Sequence, residues 1–333
     1  MVFVQILLGG ITRLTGSGLS ITRWEIVTGT LPPMNAAEWE ESFELYQQTP
    51  QYQKINEGMT MSEFKFIFFW EYIHRLWARL MGFVFVIPFL FFLVRKSLTK
   101  TLLKRLGIVV LLAGLAAIFG WVMVASGLTD RPWVNAYKLA IHLGLGVSLF
   151  IYLFFTWLSH RGYKRYHGDV RWRSPVRLMF ILVSVQFILG GLLSGMKAAL
   201  IYPTWPLMHG EYFPEVLLDA SNWNLDNILL YDQSGFMAAL VQFLHRNLAY
   251  ILLLFSISFG IRWHRSVSPQ WQWVSMVLVG IIVVQAALGI LTLLHSIGSI
   301  PVIWGVLHQG FGIILLTFMV YLNQTVKSKA NII

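Results

Sequence analysis

The 333-residue sequence contains no cysteine and few charged residues. The absence of cysteine excludes disulfide bonds, thiolate metal sites, iron–sulfur clusters and covalent c-type haem attachment. Any metal must therefore be held by histidine, methionine, tyrosine or carboxylate side chains. Charged residues make up 12% of the chain, well below the roughly 25% of a soluble domain, whereas hydrophobic residues make up 56%. Together with a mean hydropathy of +0.65, this composition indicates an integral membrane protein.

Seven apolar windows are long enough to cross a bilayer as helices, which takes about 20 residues. They lie at 66–94, 105–126, 136–158, 175–196, 236–260, 271–294 and 302–323. An eighth apolar stretch, at 2–12, is too short to span, and we interpret it as the end of a first helix, in which case Met1 need not be the native start. A cleavable signal peptide is the alternative, but no small-residue cleavage site follows this stretch. The sequence thus predicts an all-α membrane protein with eight transmembrane helices.

The loops between these windows alternate in charge. Four loops, at 95–105, 159–177, 261–270 and 324–333, hold 15 of the 25 Lys and Arg residues against one acid, Asp169. The alternate loops, at about 14–65, 127–135, 197–235 and 295–301, hold 13 of the 15 acids. Because clustered Lys and Arg face the cytoplasm, we expect both termini inside and the acidic loops outside. The net charge of +10 is then a signal of topology, and we expect no nucleic-acid partner.

Three segments of the chain recur. "VQILLGGITRLTGSGL" at 4–19 aligns with "VQFILGGLLSGMKAAL" at 185–200, "YIHRLWARL" at 72–80 with "FLHRNLAYI" at 243–251, and "KLAIHLGLG" at 138–146 with "WGVLHQGFG" at 304–312. Both copies start inside, so they are parallel repeats. We therefore expect two pseudo-twofold-related four-helix bundles, one formed by 1–160 and the other by 161–333.

The repeat contains two histidines per half, on its second and fourth helices. They are His74 and His142 in the first half, and His245 and His308 in the second. At 1.5 Å per residue, all four lie roughly 9–14 Å below the outer surface. A lone histidine in a membrane helix is usually a polar residue bonded to a neighbouring helix, but matched pairs in both halves favour metal ligation. Paired imidazoles in a helical bundle suit haem iron, whereas a zinc site wants three or four ligands, so the spacing predicts one haem-type site per half.

The other histidines and two arginines carry weaker signals. His160, His167 and His264 fall in basic inner loops and are expected to be solvated. His209 is expected to make a loop hydrogen bond, with covering a site as the alternative, and His295 ends a helix at the outer surface, where a haem edge is within reach. Arg75 and Arg246 each follow a paired histidine. They suit bidentate pairing with haem propionates, and snorkelling to the interface is the alternative.

The two halves differ three residues before the first histidine of each pair. Glu71 precedes His74 on the same helix face, whereas Gln242 precedes His245. A carboxylate in a membrane helix is costly and usually functional, and it can accept protons, position water or stabilise a cation, whereas an amide can only hydrogen-bond. The asymmetry predicts a reactive site in the first half and a static or electron-transferring site in the second. A structural ion pair of Glu71 with Arg75 or Arg13 is the alternative.

The motifs "GGITRLTGSGLSITRWEIVTGTLPP", "EYIHRLWARLMG", "HLGLG", "QFLHRNLAY" and "HQGFG" together closely resemble the haem A synthase family, from residue 4 to the end of the last helix. The resemblance implies oxidation of the C8 methyl of haem O to a formyl group, through two hydroxylations and a hydroxymethyl intermediate. It implies that His74 and His142 hold the substrate haem O, that His245 and His308 hold a haem b cofactor, and that Glu71 is the acidic residue needed at the substrate site. Some members carry a cysteine pair in the first outer loop, so this chain resembles the cysteine-free branch.

The resemblance also implies a setting in the bacterial cytoplasmic membrane, with haem sites toward the outer face. Haem O synthase is the expected substrate donor, and the terminal oxidase assembly machinery the expected destination of the product. The electron donor and the oligomeric state, including a homo-oligomer, stay open. The alternatives are a quinol-linked dihaem electron-transfer cytochrome, which has no need of the Glu71 and Gln242 asymmetry, and a haem carrier or oxidase assembly factor without redox chemistry.

Overall fold

The structure is a computed structural model that describes residues 1–23, 30–129, 131–162, 166 and 170–326. Within these ranges the regular elements are helical, and the isolated β-bridge between Met208 and Glu211 belongs to no strand. The α-helices are α1 Val2–Leu14, α2 Ala36–Gln47, α3 Pro50–Lys54, α4 Met61–Val94, α5 Lys100–Ala125, α6 Ala136–Arg161, α7 Arg173–Gly195, α8 Ala198–Ile201, α9 Glu215–Leu218, α10 Leu225–Leu229, α11 Phe236–Ser266, α12 Pro269–Leu294 and α13 Val302–Thr325.

Seven of these helices, α4 to α7 and α11 to α13, are long and apolar enough to cross a membrane. They coincide with the seven predicted windows, which are thereby confirmed as helices. The apolar α1 has 13 residues and is shorter than a full span, so the predicted total of eight transmembrane helices is not confirmed.

Helix α4 begins before the predicted window, at Met61, because its first turn is capped. The Thr60 hydroxyl accepts a hydrogen bond from the Glu63 backbone N–H (3.3 Å), and the Glu63 carboxylate accepts one from the Thr60 backbone N–H (2.8 Å). This reciprocal capping box satisfies two of the donors that a helix start leaves open. The capped turn is polar, so an apolar window cannot detect it.

An aromatic cluster joins α2 and α3 to the first turns of α4. Its buried members are Phe43, Tyr46, Phe64, Ile67 and Phe68. Phe64 stacks on both Phe43 and Tyr46, with ring centroids 4.9 and 5.3 Å apart. The segment that follows α1 is thereby anchored above the part of α4 that carries Glu71 and His74.

The described chain divides into two compact units, Met1–Phe150 and Ile151–Ile333. In the first unit α1 packs along α4, and Phe3 of α1 contacts Phe150 of α6. Leu19, Val124 and Val134 form a small buried cluster where the segment after α1 meets the end of α5 and the approach to α6. The predicted division into 1–160 and 161–333, with one haem site each, stays a prediction.

In the second unit four helices close a ring. Helix α7 packs against α11 and α13, and α12 packs against the same two helices. The ring encloses fully buried side chains from each helix, namely Met179, Leu252, Leu278, Ile313 and Met319. Close packing of this kind holds the side chains in fixed rotamers, which a site in the ring needs for defined geometry.

Some sequence predictions fall on residues outside the described ranges. His167 and Asp169 of the second basic loop lie outside them, as do residues 24–29 of the first outer segment and residues 327–333 at the end of the chain. His160 and His264 are described, and both are exposed. His264 contacts the Ser275 hydroxyl through its Nδ1 (3.1 Å).

Candidate functional site: two pairs of histidines

The first pair of histidines consists of His74 on α4 and His142 on α6. The His142 Nδ1–H donates to the backbone carbonyl of Ala116 on α5 (2.9 Å). Since a carbonyl only accepts, this bond puts the proton on Nδ1 and leaves the lone pair on Nε2 for a metal. The amide nitrogen of Gln5 on α1 donates to the His74 carbonyl and also lies 3.2 and 3.3 Å from the two nitrogens of the His74 ring.

The second pair consists of His245 on α11 and His308 on α13. Their ring centroids are 6.4 Å apart with the ring planes at 76°. Metal-to-imidazole bonds of about 2.0 Å place two rings on opposite sides of one metal ion about 6 Å apart, so the spacing fits two axial ligands of one iron. The His308 Nδ1–H donates to the Gln285 carbonyl (3.1 Å), which leaves its Nε2 for the metal. The His245 Nδ1 is buried and has no hydrogen-bond partner in the described part of the chain.

The surroundings of the two pairs share two kinds of contact. The Gln186 amide nitrogen donates to the His245 carbonyl (2.9 Å), as Gln5 does to the His74 carbonyl, and both glutamines occupy the second position of the first pair of aligned segments. The carbonyls that accept from His142 and His308 both belong to the helix that precedes the histidine, α5 in the first half and α12 in the second. The internal repeat therefore extends beyond the histidines to the groups that orient them.

Glu71 is buried on α4 and binds the segment that follows α1. Its Oε2 accepts from the Ser20 hydroxyl and from the Ile21 backbone N–H, both at 2.7 Å. Its Oε1 pairs with the Arg75 guanidinium at 2.5 Å. The Glu71–Arg75 ion pair, which the sequence offers as a structural alternative, is thus present. The carboxylate also joins α4 to the outer segment.

Gln242 occupies the equivalent place on α11, but it donates a hydrogen bond to the outer segment where Glu71 accepts one. Its Nε2 donates to the Tyr202 carbonyl (2.8 Å). Tyr202 is the repeat counterpart of Ile21, because each follows the end of its aligned segment by the same distance along the chain. Glu71 instead accepts from the N–H of Ile21. The Gln242 Oε1 is buried without a hydrogen-bond partner in the described part of the chain, so the first site contains an anion where the second contains a neutral amide.

Arg75 and Arg246 hold backbone carbonyls of the outer segments. Arg75 donates to the carbonyls of Ile21 (3.0 Å) and Arg23 (3.2 Å). Arg246 donates to those of Thr204 and Pro206, both at 2.8 Å. Propionate pairing by the two arginines stays a prediction.

A second layer of contacts fixes the outer segment near Glu71. The Tyr46 hydroxyl donates to Gln51 (3.1 Å) and accepts from Asn56 (2.7 Å), and the Gln51 amide donates to the Gly16 carbonyl (3.0 Å). Burial raises the pKa of the Tyr46 hydroxyl above its ordinary value of 10.0, the hydrogen bond from Asn56 opposes this, and the charge of Glu71 adds to it. The outer segment, α2 and α4 thus form one connected network.

Two further histidines lie outside the pairs. His209 contacts the Ile201 carbonyl through its Nε2 (2.7 Å), in agreement with a loop hydrogen bond. His295 contacts the Leu291 carbonyl one turn earlier (2.8 Å), and its ring lies 6.2 Å from that of Trp304.

Sequence reasoning missed several residues that shape the sites. Gln5 and Gln186 each donate to the backbone carbonyl of a histidine, and Ser20 donates to the Glu71 carboxylate. None of the three is charged or a usual metal ligand. The signal for the two glutamines was available, because both belong to the "VQ" dipeptides that open the aligned segments. Ser20 has no such signal, since only the fold brings it to α4.

The seven long apolar helices and the helical elements of the described residues define a class: a multi-pass, helical membrane protein with a pair of histidines in each half. Similarity to known proteins supports this class. The family model described as cytochrome oxidase assembly protein matches residues 1–320. The chain is also similar to proteins named Heme A synthase, and belongs to the haem A synthase family.

Three of these relatives show how far the similarity extends. The protein from Caulobacter sp. (strain K31) is 40% identical over 319 residues, which cover 95% of this chain and 90% of that protein. The one from Flavobacterium psychrophilum is 38% identical over 327 residues, with 96% and 93% covered. The one from Brucella ovis is 41% identical over 319 residues, with 95% and 86% covered.

Proposed function

We propose that the chain is a haem A synthase, an enzyme that oxidises the C8 methyl of haem O to a formyl group and so supplies haem A for terminal oxidases. Two successive hydroxylations, each a two-electron oxidation by an external oxidant, convert the methyl first to hydroxymethyl and then to a geminal diol, which loses water to give the aldehyde. The observation that carries this proposal is the duplicated pair of oriented histidines with a buried carboxylate beside one pair and an amide beside the other.

We assign the first pair, His74 and His142, to the substrate haem O, and the second pair, His245 and His308, to a resident haem b. The 6.4 Å spacing of the second pair inside a closed ring of helices suits a cofactor that stays bound. Haem b, when bound, supplies one-electron transfer. The histidines hold and orient the two macrocycles, and the chain's own hydrogen bonds set the direction of the His142 and His308 rings.

Glu71 is the residue we place at the oxidised methyl. Its side chain lies on the His74 face of α4, because residues three apart in a helix are neighbours. Three donors, from Ser20, Ile21 and Arg75, fix the carboxylate in place. A fixed anion near the reacting carbon can stabilise developing positive charge or take up a proton there. Its contacts to residues 20 and 21 also hold the outer segment beside the site.

The wider arrangement follows from the same repeat. Eight transmembrane helices form two pseudo-twofold-related four-helix bundles in the bacterial cytoplasmic membrane, with both termini inside and the haem sites toward the outer face. The matching contacts at Gln5 and Gln186, and at the carbonyls of Ala116 and Gln285, support the duplication. Haem O synthase is the proposed substrate donor.

Pigment chromatography tests the function. Cells that make haem O, but lack their own haem A synthase, are compared with and without this chain, and extracted haems are separated. The proposal predicts haem A, or its hydroxymethyl precursor, only when the chain is present. Bound and reducible haem B with no oxidised haem O would instead identify a dihaem electron-transfer cytochrome.

Single ligand variants test the assignment of the two pairs. His245→Ala should remove the haem b spectrum of the purified protein, whereas His74→Ala should keep that spectrum and abolish conversion. The reverse pattern would exchange the roles of the two pairs while leaving the function in place.

A further inference from the structure

Each of the four paired histidines lies against a glycine of a neighbouring helix. If each glycine carried a Cβ, that atom would lie very close to the Cε1 of a histidine ring. From this Cβ position to the histidine Cε1, the distance is 3.1 Å for Gly9 and His74, 3.0 Å for Gly120 and His142, 3.3 Å for Gly190 and His245, and 2.8 Å for Gly289 and His308. Carbon atoms of separate groups pack best at about 3.5–4.0 Å, so a methyl group would shift the imidazole by a few tenths of an ångström at Gly9, Gly120 and Gly190, and by the most at Gly289.

The four contacts follow the internal repeat. Gly9 on α1 and Gly190 on α7 occupy the same position in the first pair of aligned segments, where each is the first glycine of a "GG" pair. Gly120 and Gly289 lie on α5 and α12, which are the helices that directly precede the second histidine of each half. Both copies of the repeat thus place a glycine against each histidine.

Two of the glycines belong to the same helix turns that orient the ring nitrogens. The carbonyl that accepts from His142 Nδ1 lies four residues before Gly120, and the carbonyl that accepts from His308 Nδ1 lies four residues before Gly289. In a helix, residues four apart lie on one face. One turn of α5 therefore contacts the edge of the His142 ring and also binds its Nδ1. One turn of α12 does the same for His308.

We propose that Gly9, Gly120, Gly190 and Gly289 are positioning residues for the four histidines, which let each imidazole lie against the neighbouring helix in the place from which it would bind haem iron. The inference rests on the proposed function, because it assigns to the glycines the task of directing that ligation. A side chain at any of these positions pushes the ring toward the centre of the site. For His142 and His308, it also breaks the bond from Nδ1 to the helix carbonyl.

Other glycines on the same helices provide matched controls. Gly114 on α5 and Gly280 on α12 have no atom within 4 Å of the place where a Cβ would stand. Alanine is a better helix former than glycine, so a substitution at any of these positions does not weaken the helix itself. A difference between Gly289→Ala and Gly280→Ala therefore reports on the histidine contact.

The test compares purified wild type, Gly289→Ala and Gly280→Ala by visible and electron paramagnetic resonance spectroscopy. Wild type and Gly280→Ala should show low-spin, six-coordinate haem b. Gly289→Ala should bind haem b roughly 10- to 100-fold more weakly, with a high-spin signal from the lost ligand, because groups that orient a metal ligand contribute about that much to affinity. Added imidazole should restore the low-spin spectrum of Gly289→Ala, while its helix content and gel-filtration profile match those of Gly280→Ala.

Two negative results have different meanings. Wild type with low-spin haem b, and Gly289→Ala with the same spectrum and haem content, would overturn the role of the glycine and leave the proposed function intact. Purified wild type without bound haem, together with no conversion of haem O in cells, would overturn both.

Discussion

Glu71 and Gln242 occupy equivalent helix positions, but they bind the preceding outer segment in opposite ways. Glu71 accepts from the N–H of Ile21, and Gln242 donates to the carbonyl of Tyr202. A carboxylate has only acceptors, so Glu71 needs the donors that Ser20, Ile21 and Arg75 provide. The two outer segments therefore cannot exchange their contacts. The two halves therefore differ both in the side chain at this position and in the backbone group that it binds.

The ion pair of Glu71 and Arg75 yields a prediction about stability. The side chains are only 3% and 13% exposed, so removing the guanidinium leaves an uncompensated buried charge. Arg75→Gln should therefore destabilise the protein by about 3 kcal/mol or more. Adding Glu71→Gln should recover part of this loss, because the unpaired charge is then gone. Thermal unfolding in detergent measures both variants.

Arg95→Gln, which removes an exposed guanidinium at the end of the same helix, is the control and should change the melting temperature little. A double variant that melts below Arg75→Gln would contradict the account of the pair.

At the scale of single residues, the sequence draws attention to the paired histidines but not to the groups that contact them, and ligation by the histidines stays a prediction. A lone histidine in an apolar helix is a weak signal, and its occurrence as a matched pair in both halves makes the signal strong. Gln5, Ser20 and the glycines act through contacts across helices, and their residue types occur in many membrane helices for other reasons. Only coordinates show that Gly289 lies so close to the His308 ring that a methyl group there would make the ring shift.

At the scale of elements, hydropathy predicts the membrane helices but not the elements outside the membrane. The seven apolar windows were right, because about twenty consecutive apolar residues have few alternatives to a helix in lipid. The predicted start of α4 was too late, since its capped first turn is polar. Helices α2 and α3 fall in the predicted acidic loop at about 14–65, and their packing on α4 depends on contacts over long sequence distances.

The aromatic cluster provides a prediction at this scale. Phe64 is fully buried between α2 and α4, so Phe64→Ala should cost about 3–5 kcal/mol and release α2 from the outer end of α4. Limited proteolysis of inverted and right-side-out vesicles should then cleave α2 faster from the outer side only. Phe66→Ala is the matched control, because Phe66 is 57% exposed on the same helix. Equal cleavage rates for the two variants would show that the cluster does not anchor α2.

At the scale of the whole molecule, the alternation of charge between loops predicts how the chain crosses the membrane. Basic loops and acidic loops follow each other along the sequence, and the seven long helices lie between them. Because the chain contains no cysteine, single cysteines can be introduced as reporters without a background signal. Ser97 and Ser221 are both exposed, one in a basic loop and one in an acidic loop.

A membrane-impermeant maleimide should label Ser221→Cys in intact cells. Ser97→Cys should be labelled only after the membrane is permeabilised, because clustered Lys and Arg keep its loop in the cytoplasm. The unmodified protein should show no labelling in either condition. Labelling of Ser97→Cys in intact cells would mean that the chain has the opposite orientation.

The central claim is that the half with the carboxylate oxidises haem O. The most direct test is pigment chromatography from haem O-producing cells that contain wild type or Glu71→Gln at equal protein levels. Loss of a group that acts in proton transfer or charge stabilisation costs about 100-fold or more in rate. Wild type should therefore accumulate haem A, and Glu71→Gln should retain haem O and haem B with little or no haem A. Equal amounts of haem A from both proteins would contradict the role of Glu71 and the asymmetry on which the account depends.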